Sequence, residues 1–130
     1  MPLLALVVDD SMLIRHTVCR FLEEHGFKVE SATNGVEALE ALERTRPDVI
    51  ISDLQMPKMG GAELISALKS RPETAAIPII TLSSRQSSCE VKEERANFAV
   101  CKDIDIDAQL EKGLQVTLGF DLAGKPAVEL

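Results

Sequence analysis

Residues 48–61 read DVIISDLQMPKMGG, and this stretch decides the fold of the chain. Three consecutive β-branched apolar residues, Val49, Ile50 and Ile51, predict a strand that is buried on both faces. The strand ends in Asp53, and the following proline and glycine pair predict a tight turn into a helix. This order places a carboxylate at the carboxyl end of a core strand, where open α/β sheets carry their sites.

Four more apolar stretches alternate with helical patterns along the rest of the chain. Strands are predicted at 3–8, 27–30, 49–53, 77–82 and 98–101, and helices at 12–25, 36–42, 62–68, 86–95 and from 106 to about 119. The helix at 86–95 is the weakest of these, because it is charged and has few apolar residues. Helix-length crossovers imply parallel strands with right-handed connections. The prediction is an α/β fold, a three-layer α/β/α sandwich whose five-stranded parallel sheet has the flavodoxin-like order 2-1-3-4-5.

Length and composition predict one globular domain of ordinary kind. The chain has 130 residues, 45% of them apolar and 27% charged, which suits a single domain. We predict that residues 1–119 form this domain and that residues 120–130 form a frayed tail. The net charge of −7 argues against nucleic acid as a partner, because binding to nucleic acid requires a basic face.

The chain also lacks the sequence features of membrane and secreted proteins. No apolar run approaches the roughly 20 residues of a membrane span, and the first apolar run has no basic region before it. The three cysteines, Cys19, Cys89 and Cys101, are odd in number and have no metal-binding spacing. These observations predict reduced cysteines in a cytoplasmic protein that has no membrane partner.

The carboxyl ends of the predicted strands bring five reactive side chains to one edge of the sheet. They are Asp9 and Asp10 after the first strand, Asp53, Ser83 and Lys102. Carboxylates this close repel one another, so a cation or a proton must neutralise part of the charge. Oxygen ligands suit Mg²⁺, and the hydroxyl and ammonium groups suit phosphoryl oxygens. The set predicts phosphoryl transfer in which Asp53 is the nucleophile. Thr81 and Ser84 are alternatives to Ser83 as the hydroxyl donor, although Thr81 should point away from the site.

The sequence resembles the receiver domains of two-component response regulators over residues 3–118. The shared motifs begin with the acidic pair Asp9-Asp10. They continue with DLQMP at 53–57 and MGG at 59–61, then PII at 78–80 leading to Ser83, and finally Lys102. The resemblance implies a signalling switch that accepts a phosphoryl group from a histidine kinase or a phosphotransfer protein. Its output would be contact with a downstream protein, and it would not be an enzyme beyond its own phosphorylation and dephosphorylation.

The resemblance also implies a role for each site residue. Asp53 would be the phosphoacceptor, and Ser83 and Lys102 would contact the phosphoryl group. The metal ligands would be the carboxylates of Asp10 and Asp53, Asp9 through water, and Gln55 through its backbone carbonyl. Mg²⁺ is therefore the implied cofactor.

Several positions depart from the family pattern. Asp103 stands where the family has a proline after the lysine, so the cis peptide of the family is in question. Ala99 stands at the position of the family's aromatic switch residue, and Phe98 should face the other side of the sheet. Only 102 − 83 = 19 residues separate Ser83 from Lys102, which is short for the family. We therefore expect phosphorylation to order residues 84–97 and not to move a ring.

Two alternative functions are open from the sequence. A degenerate receiver would bind its partner without being phosphorylated, which the departures near Lys102 would explain. A phosphatase of the haloacid-dehalogenase type would use Asp53 as an aspartyl nucleophile. Those enzymes have a general-acid aspartate at the position of Gln55, and an amide cannot transfer the proton.

Overall fold

Strands and helices alternate along the described part of the chain. The computed structural model describes residues 3–53, 61–83, 98–101 and 105–118. Its elements are β1 (Leu4–Val8), α1 (Met12–Glu24), β2 (Lys28–Ala32), α2 (Gly35–Arg44), β3 (Val49–Asp53), α3 (Gly61–Lys69), β4 (Ile79–Ser83), β5 (Phe98–Cys101) and α4 (Ile106–Leu118). The weak helix predicted at 86–95, and the segment 84–97 expected to become ordered, lie outside the described residues.

The five strands form one parallel sheet in the order β2-β1-β3-β4-β5. This confirms the predicted fold class and strand order. β3 lies at the centre, and all five of its residues are buried. The register brings the ends of neighbouring strands side by side: Val8 pairs with Ser52, Asp53 with Leu82, and Ser83 with Cys101. The side chains at the strand ends therefore belong to one edge of the sheet.

The sheet separates two apolar cores. One core contains Val49 and Ile51 of β3 and packs against α1 and α4. The other contains Ile50 and packs against α2 and α3. Alternate residues of β3 thus point into different cores, as expected for a strand covered on both faces. Helices on both sides of the sheet complete the predicted three layers.

Side-chain caps fix where the first two helices begin. The Oγ atom of Ser11 accepts a hydrogen bond of 3.3 Å from the backbone N–H of Ile14. Asn34 caps α2 in the same way, with Oδ1 3.0 Å from the N–H of Glu37. The Glu37 carboxylate in turn accepts from the N–H of Thr33 at 2.8 Å. These reciprocal bonds satisfy backbone donors that a helix leaves unpaired at its start, and they start each helix close behind the preceding strand.

The predicted bounds of two strands differ from those of the structure. β2 begins after Phe27, because the Phe27 N–H donates to the Leu22 carbonyl at 3.0 Å and belongs to the turn that closes α1. β4 begins after Ile77, whose N–H donates to the Thr74 carbonyl at 3.1 Å. Both residues are buried, so their apolar character reflects packing within a turn and not membership of a strand.

Phe98 and Ala99 lie on opposite faces of β5, as strand alternation predicts. Phe98 packs against the core beneath α1 and α4, whereas Ala99 is exposed. The Phe98 ring lies directly over Gly113 of α4. A carbon added at the Cβ position of Gly113 would lie 2.7 Å from Cδ2 of Phe98. The one aromatic residue of β5 is therefore packed tightly against α4. It does not lie on the face of the strand that carries Ala99.

Gly113→Ala is expected to lower the free energy of unfolding by up to about 2 kcal/mol. Alanine favours a helix over glycine by about 1 kcal/mol, but the added methyl group overpacks the contact with Phe98 at a cost of about 1 to 3 kcal/mol. Urea denaturation of the two proteins measures the difference. In a Phe98→Leu background the ring is gone, and Gly113→Ala should then stabilise. A parent protein that becomes more stable on the single substitution would show that the contact is not tight.

Candidate functional site

Three carboxylates meet at the carboxyl edge of the sheet. Asp9 and Asp10 follow β1, and Asp53 ends the neighbouring strand β3. One oxygen of each carboxylate can be chosen so that all lie within 4.8 Å of one another. Asp9 is fully buried and Asp53 is 4% exposed, whereas Asp10 is exposed. The structure thus brings together the acidic residues that the sequence predicted at one edge.

The backbone around Asp9 is fixed by bonds from several elements. Its carboxylate Oδ1 accepts from the Ser11 N–H at 2.8 Å, and its own N–H donates to the Ala32 carbonyl of β2 at 3.1 Å. Arg15 turns back from α1, and its Nη1 donates to the Asp9 carbonyl at 2.7 Å. This contact of Arg15 could not be predicted from the sequence. Helical spacing does not show that a guanidinium will donate to a carbonyl that precedes its own helix.

The carboxylate cluster favours a cation. Two ionised carboxylates within 4.8 Å of each other repel by roughly 3 kcal/mol or more at an effective dielectric constant near 20. Asp9 and Asp53 are buried, so water screens their repulsion less than it would at the surface. Among the described residues, the metal-binding atoms that converge here are carboxylate oxygens, and hard oxygen ligands match Mg²⁺ better than they match soft metals. The donor set therefore fits the predicted Mg²⁺.

The backbone places one further predicted site residue at the same edge of the sheet. Ser83 is the last residue of β4. Thr81, the rival hydroxyl, is buried within β4 opposite Ser52, so it lies farther from the edge than Ser83. Gln55 and Lys102 lie outside the described residues, as does the peptide bond after Lys102.

The expectation of three reduced cysteines is wrong for Cys101, which is disulfide-bonded. The spacing of the cysteines along the chain does not show this bond. Cys19 carries a free thiol. Burial raises the pKa of the Cys19 thiol, Glu23 raises it further, and Arg15 lowers it. The thiolate of Cys19 is therefore disfavoured.

A second residue missed from the sequence is Gln109 of α4. Its side-chain amide forms hydrogen bonds with both the N–H and the carbonyl of Cys101, at 3.0 and 2.8 Å. Glutamine on a helix has no pattern that predicts such a contact, because the contact depends on how α4 packs beside β5.

The strand order and the acidic cluster together define an α/β domain with a candidate metal site at the carboxyl edge of its sheet. Comparison with known families gives the particular class. A sequence model of the response regulator receiver domain matches residues 5–113. The chain therefore belongs to the receiver domain family of two-component response regulators, as the sequence motifs predicted.

Curated relatives agree with this assignment. The response regulator MprA of Mycobacterium sp. (strain KMS) is 39% identical over 90 residues, which are 69% of this chain and 38% of that protein. MprA of Mycobacterium leprae (strain TN) is 40% identical over 85 residues, which are 65% of this chain and 36% of that protein. The matched region thus spans less than two fifths of the length of these relatives.

Solved structures show the same fold. The chemotaxis response regulator CheY4 of Vibrio cholerae matches with a TM-score of 0.79 and 34% identity, over 90% of this chain and 99% of that one. The receiver domain of the sensor histidine kinase PA1611 from Pseudomonas aeruginosa PAO1 matches with a TM-score of 0.78, over 92% of this chain and 99% of that one. That structure has a magnesium ion coordinated in its active site cleft, but at 22% identity the likeness concerns the fold alone.

Among the helices of the described ranges, none has the length and apolar character needed to cross a bilayer.

Proposed function

We propose that this chain is a phosphorylation-dependent switch in which Asp53 accepts a phosphoryl group from a histidine kinase or a phosphotransfer protein. The observation that carries the proposal is the convergence of Asp9, Asp10 and Asp53 at the carboxyl edge of the sheet. The family match over residues 5–113 supports it. In this proposal residues 1–119 are the receiver domain and residues 120–130 are a tail.

The transfer breaks one bond and forms another at phosphorus. The Asp53 carboxylate attacks the phosphorus of a phosphohistidine, the P–N bond breaks, and a P–O bond forms. The imidazole leaves and takes up a proton, and Asp53 becomes an acyl phosphate. Hydrolysis later resets the switch: water attacks phosphorus, and inorganic phosphate leaves the restored carboxylate.

Mg²⁺ is the proposed cofactor of this reaction. Asp10 and Asp53 would hold the ion through their carboxylates, Asp9 through water, and Gln55 through its backbone carbonyl. When bound, Mg²⁺ neutralises the carboxylate cluster and offsets the charge of the incoming phosphoryl group. The burial of Asp9 and Asp53 supports this role, because buried carboxylates require a counter-charge.

Ser83 and Lys102 are proposed to bind the phosphoryl oxygens. Ser83 ends β4 at the edge that carries Asp53, and in the sequence Lys102 directly follows Cys101, the last residue of β5. Phosphorylation adds about −1.5 to −2 charges and three acceptor oxygens. A hydroxyl donor and an ammonium group are the side chains suited to them.

The proposed output is contact with a downstream protein. Position 99 on β5 is an exposed alanine. Because alanine has no ring, no aromatic rotamer can change at this position when Asp53 is phosphorylated. The signal must therefore leave the site by another route, and we propose ordering of residues 84–97. Hydrogen exchange with and without a phosphoryl mimic would show greater protection there; changes confined to α1 and α2 would contradict this route.

Phosphorylation by acetyl phosphate tests the proposed function. With Mg²⁺ the protein should gain the mass of one phosphoryl group, and chelation of Mg²⁺ should prevent the gain. The product should be labile to hydroxylamine, because an acyl phosphate reacts with this nucleophile and a serine or threonine phosphoester does not. A protein that stays unmodified under these conditions would instead be a degenerate receiver.

A further inference from the structure

The peptide bond between Asp9 and Asp10 is held by a side chain from α1. Nη1 of Arg15 donates to the Asp9 carbonyl at 2.7 Å, a short distance that is typical of a charged donor. Long side chains of a helix point back toward its amino end, so a residue near the start of α1 can reach the connection before the helix. The half-buried Arg15 guanidinium therefore contacts the backbone that joins two acidic residues of the cluster.

The backbone of Arg15 is itself fixed at the start of α1. Its N–H donates to the Ser11 carbonyl at 2.9 Å, and the Ser11 hydroxyl caps the helix through the N–H of Ile14. A capped first turn is better ordered than a frayed one. The guanidinium is thus carried by a firmly placed part of the helix.

Asp9 and Asp10 differ in what else holds their side chains. The Asp9 carboxylate accepts a hydrogen bond from the Ser11 N–H at 2.8 Å. Asp10 is exposed, and none of the hydrogen bonds found among the described residues involves its carboxylate. Within the described part of the chain, the direction of the Asp10 side chain is therefore set by its backbone.

The bond from Arg15 acts on that backbone. A peptide unit is planar and contains the Cα atoms of both residues that it joins. A donor that fixes the Asp9 carbonyl therefore also fixes the plane from which the Cα of Asp10 continues. In this arrangement one carboxylate oxygen of Asp10 lies within 4.8 Å of oxygens from Asp9 and Asp53.

We propose that Arg15 is a positioning residue of the divalent cation site, which aims the Asp10 carboxylate by holding the peptide between Asp9 and Asp10. This inference rests on the proposed function, in which Asp10 is a direct ligand of Mg²⁺. Mg²⁺ requires near-octahedral geometry at short distances, whereas Ca²⁺ accepts flexible geometry at longer ones. Loss of a residue that orients a ligand should therefore weaken binding of Mg²⁺ more than binding of Ca²⁺.

The ratio of the two affinities separates orientation from charge. The positive charge of Arg15 repels both cations equally, because both carry two charges. Loss of this charge alone would strengthen binding of Mg²⁺ and Ca²⁺ by the same factor and leave the ratio unchanged. A change in the ratio thus reports the geometry of the site.

Calorimetric titrations of Arg15→Met with Mg²⁺ and with Ca²⁺ test the inference. Methionine removes the hydrogen bond and the charge but suits a helix. The Kd for Mg²⁺ divided by the Kd for Ca²⁺ should rise about fivefold or more, because residues that orient metal ligands typically contribute about tenfold or more to affinity. Arg20→Met is the matched control, since Arg20 lies exposed on the same helix and pairs with Glu24. Its ratio should equal that of the parent within about twofold.

A second variant and a stability measurement keep the test decisive. Should Arg15→Met not fold, Arg15→Gln takes its place, because its polar side chain is too short to reach the Asp9 carbonyl. Urea denaturation of the metal-free proteins shows how far each substitution affects the fold itself.

Three results would overturn the inference, and they differ in what else they affect. An unchanged ratio with tighter binding of both ions would show that Arg15 acts only through its charge. An unchanged ratio with weaker binding of both ions and a lower free energy of unfolding would show that it supports the fold alone. A parent protein that binds neither ion would overturn the cation site of the proposed function, and this inference with it.

Discussion

Asp53→Asn is expected to abolish phosphorylation by acetyl phosphate while leaving the protein folded. The amide has no carboxylate oxygen to attack phosphorus, and no other carboxylate of the cluster ends a central strand that is buried on both faces. Intact mass after incubation with acetyl phosphate and Mg²⁺ should show the parent with one phosphoryl group and the variant with none. A variant that takes up the group to the same extent would place the phosphoacceptor elsewhere.

The same substitution should stabilise the protein in the absence of Mg²⁺. It removes one charge from a cluster in which each ionised pair repels by roughly 3 kcal/mol at an effective dielectric near 20. Asp48→Asn is the control, since Asp48 lies at the other end of β3 and its carboxylate accepts the Leu4 N–H at 2.8 Å. That variant should be phosphorylated like the parent and should not gain stability.

Asp10→Ala is expected to yield a protein that is more stable than the parent without Mg²⁺ and that no longer responds to Mg²⁺. A ligand that binds only the native state stabilises it by about 2.7 kcal/mol at a hundredfold excess over Kd, and the parent should show this gain. Because Asp10 is exposed, removal of its charge should stabilise the metal-free protein by only about 1 kcal/mol. Thermal unfolding with and without Mg²⁺ measures both effects.

Glu43→Ala controls for the change in net charge. Glu43 is exposed on α2 and lies outside the carboxylate cluster, so this variant should keep the Mg²⁺ response of the parent. If the melting temperature of Asp10→Ala still rises with Mg²⁺ as in the parent, then Asp10 is not a ligand of the ion.

The topology could be predicted because each strand carries a strong and local signal. Val49, Ile50 and Ile51 are apolar without alternation, which requires cover on both faces, and the structure buries all three. A parallel sheet then fixes which ends of the strands meet, so the convergence of Asp9, Asp10 and Asp53 followed from the topology. Features that depend only on chain order and hydrophobicity were thus accessible from the sequence.

The features that escaped prediction depend on how elements pack against each other. Arg15 and Gln109 use long side chains to reach backbone groups in another segment, and helical spacing does not indicate where such a side chain turns. The disulfide at Cys101 depends on the folded arrangement of the chain, which the spacing of the cysteines does not show. The sequence predicts Phe27 and Ile77 in strands, because a buried apolar residue in a turn cannot be told apart by residue type from one in a strand.

The burial of β3 on both faces bears on the lifetime of the proposed phosphorylated state. β3 pairs with a strand on each side and points its side chains into two separate cores. Amide protons in such a strand exchange with solvent only when the whole domain unfolds, whereas peripheral segments open far more often. Asp53 therefore ends a strand that is expected to open only with the whole domain. Spontaneous opening of the domain would therefore rarely expose an acyl phosphate on Asp53. The lifetime of the phosphorylated state would depend on the water and side chains at the edge of the sheet and not on fluctuations of β3.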